Sequence, residues 1–331
     1  MKPLLLDLEL ARAEQAGDPF AFRFAPQSYL LRQPGGGFES ASLSWNQALL
    51  ADLEAARQPA RSPVVLQRVG ELLRNFLSAL GWDEKERQIL AAVQEKRPVF
   101  LTVRSAAAEL YALPWELLTL KSTGQHVGEL CGVLVRYEWP QTESAVATPH
   151  TDGGRILFAW SAAGGAVPAQ KQLAAIDKAC RDGFHPFDAT ADVLENVSLA
   201  RLAAALSTAT EQGKPIRVLH LLCHGGEVGG SFGLVLDGEA GGESVVAVDA
   251  GRLRQLLAPH AATLRLIVLS ACDSGNSGAL GNQLGSVAQA LHRAGVAAVL
   301  ASRYPLSVGG SIRLIEALYD GLLVRLFSLE Q

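Results

Sequence analysis

The sequence predicts an α/β protein: a mostly parallel, doubly wound sheet with helices on both faces, preceded by an N-terminal α+β region. Three observations carry that expectation. From Arg155 onward, short Ile, Leu and Val runs alternate with helical patterns, the rhythm of repeated βα units. Those runs lack polar alternation, as strands do when helices cover both of their faces. At 331 residues the chain has room for two domains of about 150 residues each, and its 49% hydrophobic content supplies the cores.

In the first region, Leu4–Leu10 and Phe20–Leu31 read as strands, the second running from Phe20–Phe24 through to Tyr29–Leu31. The turn-forming Pro34-Gly35-Gly36-Gly37 follows. Helices are expected near Ser44–Arg57, Val64–Leu80 and Glu84–Glu95. The second of these carries Leu66, Val69, Leu72, Leu73, Phe76 and Leu80 on one face. Pro98–Val103 and Gly132–Tyr137 are further strands. Between them Pro114, in Leu113–Leu118, suits the first turn of a short helix. Composition turns small and polar over Ala145–Gly154, which places a boundary there and gives domains of 1–150 and 151–331. In the second domain, strands are expected at Arg155–Trp160, Pro215–Leu222, Arg265–Ser270 and Val296–Ala301. Helices fall near Gln170–Arg181, Ser198–Gln212, Ala250–Ala258, Gln283–Ala294 and Ser307–Leu323. Phe232–Asp237 and Ser244–Val248 read as a β-hairpin inserted between two βα units.

Composition narrows the function. A net charge of −4 argues against direct nucleic-acid binding, which normally shows clustered Lys and Arg. Apolar stretches such as Val296–Ser302 fall short of the roughly 20 residues a membrane span needs. A signal peptide is not expected: in Met1–Leu10, Asp7 and Glu9 interrupt the apolar run and no small-residue cleavage site follows. Four widely separated cysteines, Cys131, Cys180, Cys223 and Cys272, do not form a disulfide framework and suit a reducing cytoplasm.

Sites in open parallel sheets gather beyond the carboxyl ends of the strands. Two predicted strands end in reactive side chains: Val218–Leu222 continues into Cys223-His224-Gly225-Gly226, and Leu266–Ser270 into Ala271-Cys272-Asp273-Ser274-Gly275. A thiolate needs a neighbouring base to be abundant near neutral pH. His224 on an adjacent strand tip would supply one to Cys272. The backbone N–H groups of Gly225 and Cys272 could then receive the oxygen of a tetrahedral intermediate. His220 reads as a core histidine satisfied by a neighbour, and Cys223, pointing to the opposite face from His224, as a small buried hydrophobe. That geometry sets aside a zinc site from His220, Cys223, His224 and Cys272; no metal or organic cofactor is called for. Ser161–Gly165 lacks the spacing of a phosphate loop and reads as a pocket rim.

Together, the Cys-His-Gly ending of Val218–Gly225 and Ser270-Ala271-Cys272-Asp273-Ser274-Gly275 resemble the CHAT family of caspase-like cysteine peptidases. The likeness runs on through Gly285–Ala290, Ala294–Val299, Ala301–Pro305 and Leu318–Leu322. Leu113–Leu118 resembles an element found ahead of the CHAT core, so the likeness spans about Ala112 to Leu323. It implies a caspase-hemoglobinase fold, His224 as general base and Cys272 as nucleophile of an endopeptidase. It also implies a protein substrate and activation by a sensor domain or partner in bacterial defence, linked to CRISPR effectors or gasdermin-like pores. In related peptidases a charged residue at the position of Ser161 or Ser270 often reads the side chain before the cut. Neutral serines there disfavour a strong demand for Asp or Arg, with Asp273, Glu227, Arg303 and Tyr304 as neighbouring substrate-binding candidates. The family often has Trp where Tyr304 stands. The rival reading is a catalytically silent docking module or pseudoprotease on the same fold.

Overall fold

A computed structural model describes residues 2–14, 24–33, 36–58, 60–78, 80–139, 154–239, 244–272, 274–275 and 286–325. The chain divides into two compact units, Met1–Gln141 and Thr142–Leu329. Most of the boundary segment expected at Ala145–Gly154 lies outside the described residues.

In the first unit the elements are β1 (Leu4–Arg12), β2 (Pro26–Arg32), β3 (Phe38–Ser44), α1 (Gln47–Arg57), α2 (Pro63–Ser78), α3 (Trp82–Gln94), β4 (Val99–Ser105) and β5 (Val133–Glu138). Its sheet has the order β3-β2-β1-β4-β5. Pairing is parallel for β1 with β4 and β4 with β5, antiparallel for β2 with both neighbours. Leu6, Leu8 and Leu10 alternate into the core along β1, and α2 buries Val69, Leu73, Phe76 and Leu77. A Cβ at Gly70 would overlap the Leu117 carbonyl oxygen and the Thr119 hydroxyl, so only glycine lets α2 approach that turn. Trp115, fully buried, donates its indole N–H to the Leu110 carbonyl at 2.8 Å. The Leu113–Leu118 element is therefore a core anchor built from short 3₁₀ turns.

The helix expected from Ser44 instead begins at Gln47, capped by the Asn46 side chain on the Leu49 N–H. The preceding residues form β3, in which Ala41 and Leu43 are buried and the intervening serines exposed. Serine and alanine have low strand propensity, which hides this strand from composition, and pairing with β2 overrides it. Of the expected strand at the start of Phe20–Leu31, residues 20–23 lie outside the described residues.

The second unit contains β6 (Arg155–Trp160), α4 (Ala169–Asp182), α5 (Ala189–Asp192), β7 (Val193–Leu194), α6 (Leu199–Glu211), β8 (Ile216–Leu222), β9 (His224–Val228), β10 (Ser231–Asp237), β11 (Val245–Val248), α7 (Ala250–Leu257), β12 (Leu266–Ser270), α8 (Val287–Arg293), β13 (Ala298–Ala301) and α9 (Val308–Tyr319). Five strands form an all-parallel sheet in the order β13-β12-β8-β6-β7. Leu157, Leu219, Leu221, Ile267 and Leu269 face a core shared with α6, α7 and α8. Ile156, Phe158, Leu222 and Val268 face the opposite core, with α4 and α9. Helices thus cover both faces, as the unbroken apolar runs predict.

The inserted hairpin is one strand larger than expected: β9 pairs antiparallel with β10, giving a sheet β11-β10-β9. Its glycines, Gly225 and Gly226, disguise it as a turn. The helix expected from Gln283 starts at Val287, where Ser286 and Gln289 form a reciprocal capping box; residues 276–285 lie outside the described residues. α9 opens into a π-turn over Asp320–Val324, and Leu318, Leu322 and Leu323 pack against the α4 core.

Candidate active site

The site is set by strand register. Leu222, the last residue of β8, pairs with Ser270, the last of β12. Counting two residues on along each chain reaches His224 and Cys272. Beyond the sheet, the Cys223 N–H still reaches the Ser270 carbonyl at 3.4 Å. There Gly225 lies so close that a Cβ on it would overlap the Cys272 carbonyl oxygen and stand 2.8 Å from its carbonyl carbon.

Cys272 is half-buried. Its Sγ accepts the Leu306 backbone N–H at 3.3 Å. A donor of this kind binds a thiolate more strongly than a thiol. The loop carrying Cys272 is tied down by Ser274, which is fully buried. The Ser274 hydroxyl donates to the Ala271 carbonyl at 2.9 Å and lies 3.3 Å from the Ser302 N–H. Gly275 N–H donates to the Ser302 carbonyl at 2.8 Å, and the Ser274 carbonyl accepts from Ala288 N–H at 3.1 Å. The loop after β12 is thereby fastened to the loop after β13 and to the start of α8.

His224 opens β9, opposite Val235. A Cβ at Gly165 would lie 3.3 Å from its Nε2 and one at Gly164 3.9 Å from its Cδ2. The loop after β6 therefore lies along the imidazole, and Gly165, at φ +145°, adopts a backbone that other residues avoid. The Nε2 of His224 is buried and has no hydrogen-bond partner among the described residues. A buried polar atom left unsatisfied is costly, so this nitrogen calls for a partner that the described residues do not supply.

The other histidine of β8 has a different fate. His220 is fully buried, with Nε2 3.0 Å from the Ser270 hydroxyl and Nδ1 3.2 Å from the Tyr319 hydroxyl. It stacks on Tyr319 and meets Phe158 edge-on. Burial lowers its pKa to about 3, so it stays neutral and structural. Cys223 lies in the core with the β8 side chains Leu219 and Leu221. Burial, with a smaller contribution from Cys272, pushes its thiol up to about 12. Cys180 is likewise buried, its thiol also pushed up to about 12, chiefly by desolvation. Cys131 is exposed on the other unit.

The remaining residues named from sequence divide by their surroundings. Ser161 is fully buried, and its hydroxyl accepts the Ala163 N–H at 3.1 Å. Ser270 is buried against His220. Both hydroxyls thus have partners inside the unit. Arg303 and Tyr304 are half-buried in the loop that also carries Ser302 and Leu306; the Ser302 hydroxyl donates to the Tyr304 carbonyl at 2.7 Å. Asp273 lies outside the described residues. Sequence reasoning did not single out the Leu306 N–H, and it read Ser161–Gly165 as a pocket rim without foreseeing that Gly164 and Gly165 lie along the His224 ring. A backbone donor leaves no mark in a side-chain pattern, although Gly164-Gly165 next to a strand end is a usable signal for close approach.

Among the described residues, no group of three or more His, Cys, Asp or Glu side chains is arranged to hold a metal ion. No helix among them is long and apolar enough to cross a membrane. A family model described as "CHAT domain" matches residues 19–328. The match begins far upstream of Ala112, where the motif likeness starts, and so takes in most of the first unit. No curated protein matches the chain.

Proposed function

The chain belongs to the CHAT-domain family, a caspase-like protease family, and on that footing we propose that it is a cysteine endopeptidase working through Cys272 and His224. The observation that carries this reading is the register of β8 against β12. It puts the two residues at equivalent distances past adjacent strand ends, with the backbone at Gly225 packed on that of Cys272.

In the proposed reaction the Cys272 sulfur attacks the scissile carbonyl carbon while His224 holds the thiol proton. The N–H groups of Gly225 and Cys272 receive the carbonyl oxygen as it gains charge. The C–N bond then breaks, His224 passes its proton to the departing amine, and a thioester remains on Cys272. Water, deprotonated by His224, hydrolyses the thioester and frees the thiol. The unpartnered Nε2 of His224 and the Leu306 N–H on the sulfur both support these roles. No step needs a metal or organic cofactor. Arg303 and Tyr304, half-buried in the loop after β13, are proposed to shape the substrate subsite together with Asp273, the residue after Cys272 in sequence; Ser161 and Ser270, buried with their hydroxyls engaged inside the unit, are proposed only to support its floor. A cytoplasmic setting and control by a sensor domain or partner in bacterial defence rest on the family resemblance alone.

The test is mass-spectrometric mapping of cuts in candidate protein substrates by the native chain, Cys272→Ala and His224→Ala. Cuts that vanish in both variants support the dyad. Cuts that persist without Cys272 refute it, and an inert native chain with an unreactive Cys272 favours a silent docking module.

A further inference from the structure

The loop that carries Cys272 is organised around one buried hydroxyl. Ser274 is fully buried two residues beyond the cysteine. Its hydroxyl donates to the Ala271 carbonyl at 2.9 Å, which closes a turn with Cys272 inside it. The same oxygen accepts the Ser302 N–H at 3.3 Å, so its proton and a lone pair are both in use. The Ser274 carbonyl takes the Ala288 N–H at 3.1 Å and fixes the turn to the start of α8.

Ser302 carries the tie outward. Its carbonyl accepts the Gly275 N–H at 2.8 Å, a second bond between the two loops. Its hydroxyl donates to the Tyr304 carbonyl at 2.7 Å and lies 3.3 Å from the Tyr304 N–H, folding the loop back on itself. Pro305, its φ fixed by the ring, then leads into Leu306. On the far side Ser307 caps α9, its hydroxyl accepting the Gly310 N–H at 3.0 Å. Leu306 N–H is thus held between a folded loop and a capped helix, and it reaches the Cys272 sulfur at 3.3 Å. The bonds form a ring: out from Ser274 through Ser302, and back to the sulfur two residues before it.

We propose that Ser274 is a positioning residue, which sets the spacing of the two loops and so delivers the Leu306 N–H to the nucleophile. The inference rests on the reading of Cys272 as that nucleophile. The Ser274 hydroxyl bonds to backbone groups of Leu269, Ala271 and Ser302 and not to the sulfur, so its effect on the chemistry passes through Leu306. A hydroxyl that served packing alone would act on stability and leave the sulfur as it is. One that aims a donor at the sulfur changes how much thiolate, the reacting form, the chain holds.

The test is a double-mutant cycle on the full chain, read as the rate of Cys272 alkylation by iodoacetamide at neutral pH and resolved by peptide mapping. Ser274→Ala removes the tie. Leu306→Pro removes the donor, outside any helix or strand, so it breaks no ladder. Each is expected to slow Cys272 about tenfold, the size of one hydrogen bond to a charged group. The double variant should also slow it about tenfold, because both changes act on one bond. Ser274→Thr, which keeps the hydroxyl, should restore most of the native rate. Cys180 and Cys223 are the folding check in the same digest, since both are buried in the folded chain. Should Ser274→Ala expose them, Ser302→Ala takes its place in the cycle with the same expectation, since it releases Tyr304 from a half-buried position. The proposal is overturned by rates that multiply to about a hundredfold in the double variant, by a Cys272 that neither single change slows, or by a Ser274→Thr as slow as Ser274→Ala. Cleavage assays keep its failure apart from that of the dyad. Cuts that survive Cys272→Ala remove the premise, whereas cuts that vanish with Cys272 while alkylation rates multiply leave the dyad and refute the role of Ser274.

Discussion

Gly225 and Cys272 are in backbone contact: a Cβ on the glycine would overlap the cysteine carbonyl oxygen, and the cysteine nitrogen would lie 3.3 Å away. Neither partner is the end of a flexible side chain. The contact holds the start of β9 against the backbone of the loop after β12, and the proposed reaction draws one oxyanion donor from each.

Gly225→Ala is therefore expected to push the two loops apart. Displacement by about 1 Å at a reacting centre costs on the order of a hundredfold in rate, with a loss of about 1–3 kcal/mol in stability from overpacking. Gly226→Ala is the control, since among the described residues its Cβ would meet just the Val235 side chain, at Cγ2 3.1 Å away. Cleavage rates and melting temperatures of the two variants check this. A fully active Gly225→Ala would show that the close approach is dispensable.

The four thiols should separate on alkylation of the native chain at neutral pH. Cys180 and Cys223 are buried with thiols pushed up to about 12, so both should stay unmodified until the chain unfolds. Cys272, half-buried with its Sγ accepting the Leu306 N–H and with His224 as its proposed base, is expected to react first, ahead of the exposed Cys131. Time-resolved peptide mapping reads the order directly. Labelling of Cys131 long before Cys272 would count against an activated nucleophile.

Much of this arrangement is legible in the residues, for reasons that differ by element. The parallel sheet announces itself because Leu157, Leu219, Leu221, Ile267 and Leu269 must be apolar to sit between helix layers. The placement of His224 and Cys272 follows from two strands ending in polar, glycine-rich turns. β3 and β9 escape notice because Ser40, Ser42, Gly225 and Gly226 are poor strand formers held by their neighbours. The Ser274–Ser302 tie and the Leu306 donor depend on how two distant loops meet, which no local pattern encodes.

The first unit is held by a buried polar cluster that can be tested independently. Arg12 donates to both oxygens of Glu109, through Nε to Oε1 at 2.9 Å and through a terminal nitrogen to Oε2. Tyr29 donates to Glu109 Oε1 at 2.7 Å, and the Trp45 indole N–H to the Tyr29 hydroxyl at 2.9 Å. The Glu109 side chain is fully buried. Burial, reinforced by the Glu109 charge, drives the Tyr29 hydroxyl far above the usual phenol range. Glu109→Ala removes the acceptor for Arg12 and Tyr29 and leaves a nearly buried guanidinium without that carboxylate. A loss of about 3–5 kcal/mol is expected, read as a lower urea midpoint. A change under about 1 kcal/mol would mean that the cluster is not a structural keystone.

His220 should give the second unit a recognisable acid branch. Its ordinary pKa of 6.5 falls to about 3 in the fold because burial penalises the charged ring. Between those values the unfolded chain binds a proton that the folded chain refuses, so unfolding is favoured as the pH drops. The contribution is complete above about pH 6.5, falls by up to about 1.4 kcal/mol per pH unit below it, and levels off near pH 3. His220→Gln keeps a polar partner for Ser270 and Tyr319 but cannot titrate. It should lower stability at neutral pH and flatten the slope between pH 6 and 4, where carboxylates shared by both proteins cancel in the comparison (~one proton's worth of slope). Urea unfolding followed across that range checks it: identical slopes in the two proteins would mean that His220 is protonated in the fold as readily as in the unfolded chain.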